Sequence, residues 1–307
     1  MASPSARTAA LFAAVLAVFV VVGGLVGEYV FGSWLAGLVV ALGLSLVLNA
    51  VAYFASDRIV LWSTHAKIVS AAEAPRLARA VDELAPRFGL VAPRIAIVPS
   101  PTPNAFATGR DERHAVVAAT EGILHLLDDR ELRGVLAHEL AHVRDRDVLV
   151  MTIAATLAGA ISFAAQTLIF SSLLGGGRGR GVNPLVLVVA AITAPIAAML
   201  LRLAISRTRE YRADEVGART VGDPEALASA LGKLETANSR RPLTVGSPSQ
   251  ASLYIVNPLR GGRLAGLFST HPPIAERIRR LRAIRPDLSY RPSLRVTTAG
   301  PAHPSRG

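Results

Sequence analysis

"GVLAHELAHVRDRDVLV", Gly134 to Val150, sets two histidines and a glutamate in an otherwise apolar stretch and leads into a long run without charge. His138 and His142 are four residues apart. On a helix they lie about 40° apart around the axis and one turn apart along it. Two imidazoles placed that way can point at one metal ion, and Glu139 follows the first closely enough to hydrogen-bond a water at that metal. Taken alone, the stretch also fits an apolar helix with two surface histidines.

His-Glu-x-x-His is the arrangement zinc peptidases use. Zinc suits such a site because it is a Lewis acid without redox chemistry and lowers the pKa of bound water to about 7. A catalytic zinc needs three protein ligands and an open position, so two histidines are too few. Downstream, "SRTREYRADEVGA" (Ser206–Ala218) places Glu210 and Asp214 on one helical face. Glu210 would complete a His2Glu site, and Asp214 is placed to accept the second ring N–H of a ligating histidine. Because Arg207, Arg209 and Arg212 interleave with these acids, a solvated, salt-bridged helix is the competing reading. The pairing with His138, Glu139 and His142 favours the metal.

At these blocks the chain resembles the membrane-embedded zinc metalloproteases of the HtpX type, related more distantly to the type I CaaX prenyl proteases. "PSPTPNAFATGR" (Pro99–Arg110), "VLAHELAHVRDRDVL" (Val135–Leu149), "SRTREYRADEVGA" and "LFSTHPPIAERIRRL" (Leu267–Leu281) carry the resemblance in the family's order, over roughly residues 10 to 285. It implies that His138, His142 and Glu210 ligate one Zn2+ per chain, that Glu139 is the general base, and that Asp214 has a structural or ligand-orienting role. The family keeps a histidine at the position of His271, in "STHPP". His271 is therefore a candidate oxyanion donor, although a structural histidine in a helix-capping turn fits equally. The resemblance further implies quality control of damaged membrane proteins, a stress response. A dedicated protease for one substrate, such as a prenylated protein, stays open beside it.

Composition points to a membrane independently. The chain is 51% hydrophobic but only 5% aromatic, and its apolar residues gather in uncharged runs: Thr8–Gly27, Trp34–Ser56, Val148–Gly177 and Pro184–Leu201, the last continuing past Arg202 to Ile205. Each has about the 18–25 residues that a bilayer-spanning helix requires. The first lacks a small-residue cleavage site before a polar region and reads as an uncleaved anchor. Asn49, inside the second run, is expected to face other helices rather than lipid. A transporter or channel would need polar groups within the spans, which these hold almost nowhere. A non-catalytic scaffold would have no need to keep Glu139 and all the ligands.

Lys and Arg near the span ends set the orientation. Arg58, Lys67, Arg144, Arg146, Arg202, Arg207, Arg209 and Arg212 mark one side, against Arg178 and Arg180 on the other. Both large polar segments are therefore expected in the cytoplasm of a multi-pass cell-membrane protein. The net charge of +11 is C-terminal: residues 57–147 hold 12 cations and 13 acids, residues 207–307 hold 17 and 8. No nucleic-acid motif or aromatic interleaving accompanies that excess, so a nucleic-acid partner is not expected and anionic lipid is the simpler one. The absence of cysteine excludes disulfides.

The expected fold is an α+β zinc-metallopeptidase domain, mostly helical, combined with four predicted transmembrane helices. Residues 1–56 supply two of them. Residues 57–147 form the first part of the catalytic domain, 148–205 a transmembrane or re-entrant hairpin, 206–285 the second part, and 286–307 a disordered tail. Within the first part, Ala72–Phe88 has helical spacing with Leu77, Val81 and Leu84 on one face. "PRIAIVP" and "HAVVAAT" read as strands. Asp128 reads as the cap of the helix bearing His138. An edge strand beside the cleft would bind extended peptide substrate by β-augmentation. Asn104 to Gly109, with Asn104, Ala105 and Phe106 as contacts, or His114 to Thr120, could supply it; a plain structural hairpin is the alternative. "TANSRRPLTVGSPSQAS" (Thr236–Ser252) reads as a mobile loop.

Overall fold

The computed structural model describes residues 32–154, 207–240, 254–255 and 272–285, with scattered positions among 6–28 and at 157. The fourth apolar run, most of the first and third, His271, residues 241–252 of the expected loop and the 286–307 tail lie outside the described residues.

The second apolar run forms helix α1, Trp34–Phe54, begun by Ser33, whose hydroxyl accepts from the Ala36 amide at 3.2 Å. Its buried positions are small: Gly37, Ala41, Ser45 and Ala52. Small residues at i, i+4 spacing let neighbouring backbones approach closely. The Asn49 side chain sits on that side and donates to the Ser45 hydroxyl at 3.4 Å. The opposite face exposes Leu35, Val39, Leu46 and Val47. After a break at Ala55 the chain forms α2, Ser56–Ser63, and then strand β1, Lys67–Val69.

Helix α3, Pro75–Leu84, buries Leu77, Val81 and Leu84 as their spacing predicts, but it is shorter than the expected 72–88 at both ends. Pro75 takes the first helical turn, where a missing N–H costs nothing. Pro86 cannot continue the α-helical ladder, so the chain tightens into a 3-10 turn, Ala85–Phe88, closed by Gly89 in the left-handed region at φ 70°.

The two expected strands are present as β2, Arg94–Val98, and β4, Val116–Thr120, and between them lies β3, Ala105–Thr108. The sheet order is β1-β2-β4-β3; β2 and β4 are parallel and the other pairs antiparallel. Strand β4 is thus central, which removes His114 to Thr120 as a substrate edge. The edge is β3. Every β4 residue is buried, and "VVAAT" shows no apolar–polar alternation because both faces of the sheet are covered. Ile95, Ala107, Val117 and Ala119 face the helices described next. Ala96, Val98, Phe106 and Ala118 face Val60 and Leu61 of α2 and Val150 and Ile153 at the start of the third apolar run.

After a short α4, Glu121–Leu126, comes α5, Asp129–Arg144, which carries the histidine motif. Asp128 caps it as expected, accepting from the Glu131 amide at 2.8 Å while Glu131 accepts from the Asp128 amide at 3.1 Å. Such a cap contributes about 1 kcal/mol. Glu131, nearly fully buried, also takes hydrogen bonds from Ser229 and Lys233 of α7, fixing the start of α5 to that helix. Helices α6, Arg207–Val221, and α7, Pro224–Arg240, pack against it, and α8, Ile274–Arg282, packs on both of those. The reading of Thr236–Ser252 as a loop fails at its start, since Thr236–Arg240 continue α7. Thr236 and Ser239 turn their hydroxyls back onto the carbonyls of Gly232 and Thr236, and Asn238 is buried. Packing overrides the turn-forming composition there.

Candidate metal centre

Helix α5 buries both histidines and Glu139 because it runs through the middle of the domain: every residue from Gly134 to Val143 is buried, with His138 1%, Glu139 3% and His142 3% exposed. Helix α6 crosses it at backbone contact. A Cβ on Gly217 would stand 3.0 Å from the His138 backbone nitrogen and 3.1 Å from the Ala137 carbonyl carbon. That close approach brings Glu210 and Asp214, two turns and one turn earlier on α6, to the histidines.

The ligand atoms of His138, His142 and Glu210 all lie within 4.8 Å of one another. His142 Nε2 is 3.4 Å from Glu210 Oε1, and His138 Nε2 is 3.9 Å from Glu210 Oε2. Ligands about 2.0–2.2 Å from a tetrahedral zinc stand about 3.3–3.5 Å apart, so Glu210 needs to close on the two histidines by at most about half an ångström. Both ring nitrogens of His142 are buried without a hydrogen bond. A buried imidazole left in that state costs free energy, and a cation between the three groups removes the cost. The donor set, two imidazoles and one carboxylate, is one that zinc takes.

Each histidine is backed by a carboxylate that is itself held by a buried arginine. His138 Nδ1 lies 2.9 Å from Asp214 Oδ1, and Arg277 forks onto Asp214 through Nε at 2.8 Å and Nη2 at 2.7 Å. His142 Nδ1 lies 3.5 Å from Asp147 Oδ2, and Arg209 Nη1 donates to Asp147 Oδ1 at 2.7 Å. Arg277 is fully buried, and breaking such a pair by removing one partner costs about 3–5 kcal/mol.

Asp147 reaches His142 because α5 does not run on into the third apolar run. The helix ends at Arg144, and Arg146 takes a left-handed conformation at φ 58° before helical structure resumes at residue 147. The sequence suggests an unbroken helix there, with the metal about 10 Å from the membrane boundary at 1.5 Å per residue. The turn interrupts that helix and folds Asp147 back toward the site. Asparagine at Asp147 keeps the size but loses the charge. Asp147→Asn is expected to weaken zinc binding by about 10–100-fold, measured by competition with a chelator.

The electrostatics follow from burial and these pairs. Burial, aided by the Arg277 charge, takes His138 down to about 4 against the pull of Asp214, so the ring is neutral. Burial acts the same way on His142 but is outweighed by Asp147 and Glu210, which raise it to about 10. Metal binding there must therefore displace a proton. Burial pushes Glu139 up to about 7, with the Glu210 charge adding to the rise. Asp214 is held down at about 2 because Arg277 and His138 outweigh its burial.

The edge strand lies beside Glu139. Asn104 exchanges bonds with Thr120 of β4, so the backbone groups of Ala105 and Ala107 point away from β4. The Ala107 amide donates to the Glu139 carboxylate. Of the three residues expected to contact substrate, Asn104 is fully buried, and the Phe106 ring packs edge-on against Tyr254 at 5.2 Å. The third, Ala105, has its carbonyl taken by the Ile255 amide at 3.1 Å. All three are buried within the fold, and the β3 backbone that reaches Glu139 is that of Ala107. Asp147 and Arg277 were not singled out from sequence, and Arg209 was read only as a salt-bridging residue and a span-end cation. The signal for Arg277 was its place in the "HPPIAERIRRL" block, where the dense positive charge reads as lipid attraction.

Peptidase family M48 matches this chain over residues 71–285. A "Protease HtpX homolog" of Syntrophobacter fumaroxidans is 52% identical over 283 residues, covering 91% of this chain and 98% of that protein. One of Pyrococcus furiosus is 49% identical over 282 residues, covering 91% and 95%. Among solved structures, S. mikatae Ste24p is similar at 18% identity and a TM-score of 0.46; the match covers 90% of this chain and 64% of that one. A likeness of that size adds nothing to the fold argument.

Proposed function

The chain belongs to peptidase family M48 and is a zinc-dependent metalloprotease, a hydrolase; on that premise we propose that His138, His142 and Glu210 hold the zinc, that Glu139 is the general base, and that the enzyme cleaves cytoplasmic segments of damaged membrane proteins. The observation that carries the site assignment is the convergence of three ligand atoms within 4.8 Å, with Glu139 set between them and the sheet edge. A zinc ion held there supplies Lewis acidity toward the scissile carbonyl and toward water.

The chain's own groups do the rest. With a pKa about 7, Glu139 can take a proton from the attacking water and return it to the leaving amine near neutral pH. Asp214 and Asp147 orient the two imidazoles through their outer nitrogens. An extended peptide adding to β3 at Ala107 passes its backbone beside Glu139, and backbone pairing of this kind tolerates many sequences. Tolerance of sequence suits a quality-control substrate range. The second donor to the oxyanion is assigned to His271 on the family resemblance alone. Membrane proteomes compared between cells with the active enzyme and cells with Glu139→Gln test the substrate class. Membrane-protein fragments ending in cytoplasmic segments should disappear in the variant; one single affected substrate would instead favour a dedicated protease.

Four spans with both polar segments cytoplasmic remain the topology we propose. It is supported by the four uncharged runs and by α1, 21 residues at mean hydropathy 2.3, whose outward face is apolar along its length. Lipid is the natural cover for such a face. The chain has no cysteine, so single replacements can be labelled cleanly. Val91, 81% exposed, is a reporter for the polar segments, and Gly179 for the hairpin of 148–205. Val91→Cys should react with a membrane-impermeant thiol reagent only after the cells are opened. Gly179→Cys should react from outside if that hairpin spans fully, and poorly from either side if it is re-entrant. Labelling of Val91→Cys in intact cells would reverse the orientation.

A further inference from the structure

A second concave site lies between α6 and the C-terminal end of α8, and the metal-ligating candidates and Glu139 take no part in its lining. It encloses about 810 Å³, within the range of small-molecule pockets. Tyr211, Arg212 and Arg219 line one wall and Arg279, Arg280 and Arg285 the other. The carboxylates nearby do not match five guanidinium groups. Arg279 and Arg280 share the single Glu276, at 2.8 and 2.7 Å. Arg212 pairs with Asp145 at 2.9 Å, Arg219 pairs with Glu215 at 3.0 Å, and Asp214 is already clamped by Arg277. Tyr211 is covered by Arg280, whose guanidinium carbon lies 3.9 Å from the ring centre, so the aromatic face is not offered to a base or an apolar ligand.

Guanidinium forks match the oxygens of a phosphate in both charge and geometry. Tyr211 and Arg212 also lie in the first turns of α6, which begins at Arg207, two residues after the fourth apolar run ends at Ile205. Tyrosine and arginine at that level are where a bilayer presents its phosphates. We propose that this cleft is a phosphate-group site, filled by the headgroup of an anionic phospholipid. The lipid as source rests on the membrane topology proposed above; the phosphate chemistry does not. The site would hold the part of the domain carrying Glu210 against the membrane surface, at the level where cytoplasmic segments of membrane proteins emerge.

The test uses the full-length protein, extracted with its zinc from vesicles of mixed phosphatidylcholine and phosphatidylglycerol and examined by native mass spectrometry for retained lipid. Wild type should retain phosphatidylglycerol in preference. Arg280→Gln should reduce that preference by about five-fold and Arg212→Gln/Arg280→Gln by more, since each arginine near the surface contributes about that factor. Arg87→Gln, an exposed arginine on α3's following turn, should leave it unchanged. A second arm measures uptake of labelled inorganic phosphate in neutral detergent. Uptake there that Arg280→Gln abolishes, without lipid preference, would keep the phosphate site and overturn the lipid as its source. No preference and no uptake by wild type, or an equal loss in Arg87→Gln, would overturn the site itself. Zinc content and peptide cleavage, measured on the same samples, report separately on the metal centre.

Discussion

Glutamine in place of Glu139 is expected to leave one zinc per chain and to lower peptide cleavage by about 10²- to 10⁴-fold. The two side chains have the same shape, and the glutamine oxygen can still accept from the Ala107 amide, as the carboxylate does. What is lost is the ability to carry a proton. Glu139 is 3% exposed, and its burial, with the Glu210 charge adding to the rise, pushes its pKa up to about 7, so no bulk group replaces it at that position. Metal analysis and a peptide-cleavage assay on one preparation separate the readings. Full cleavage with zinc in place would remove Glu139 from the chemistry.

Alanine at Glu210 removes a ligand outright, and zinc affinity is expected to fall by more than the roughly 10–100-fold assigned to a change in an orienting carboxylate such as Asp147→Asn. The loss reaches beyond one bond. Glu210 is one of two carboxylates that face His142, at 3.4 Å, and its charge offsets that of Arg277 at 3.9 Å. Removing it leaves Arg277, whose Nη2 lies 3.4 Å from His138 Nδ1, with Asp214 as its paired carboxylate. Chelator competition checks the affinity, and zinc binding as in wild type would move the third ligand elsewhere.

The centre was legible in the sequence to the extent that its geometry is local. The four-residue spacing of His138 and His142, and of Glu210 and Asp214, needs only a helix to bring each pair to one face. Asp128 with Glu131 is likewise a local capping signal. Asp147 was hidden because it depends on a left-handed turn at Arg146, a conformation nothing in "RDRD" requires. Arg277 was hidden because its role depends on α8 reaching Asp214 across the fold. Gly217 did carry a sign, since a glycine inside a helical pattern costs stability unless another backbone passes close by. In the sheet, β2 and β4 were visible through their β-branched residues, whereas β3, "AFAT", lacks that signal and is formed by pairing with β4. The same pairing decides which strand is the edge, and strand order is not written in any single segment.

The claim on which the rest depends is that one zinc sits among His138, His142 and Glu210. Crystals of the zinc-loaded protein, with diffraction recorded on both sides of the zinc absorption edge, locate the ion directly. One anomalous peak per chain is expected, about 2.0–2.1 Å from Nε2 of each histidine and about 2.0–2.2 Å from the Glu210 carboxylate. A peak held by other side chains, or none in a preparation whose cleavage depends on zinc, would contradict it.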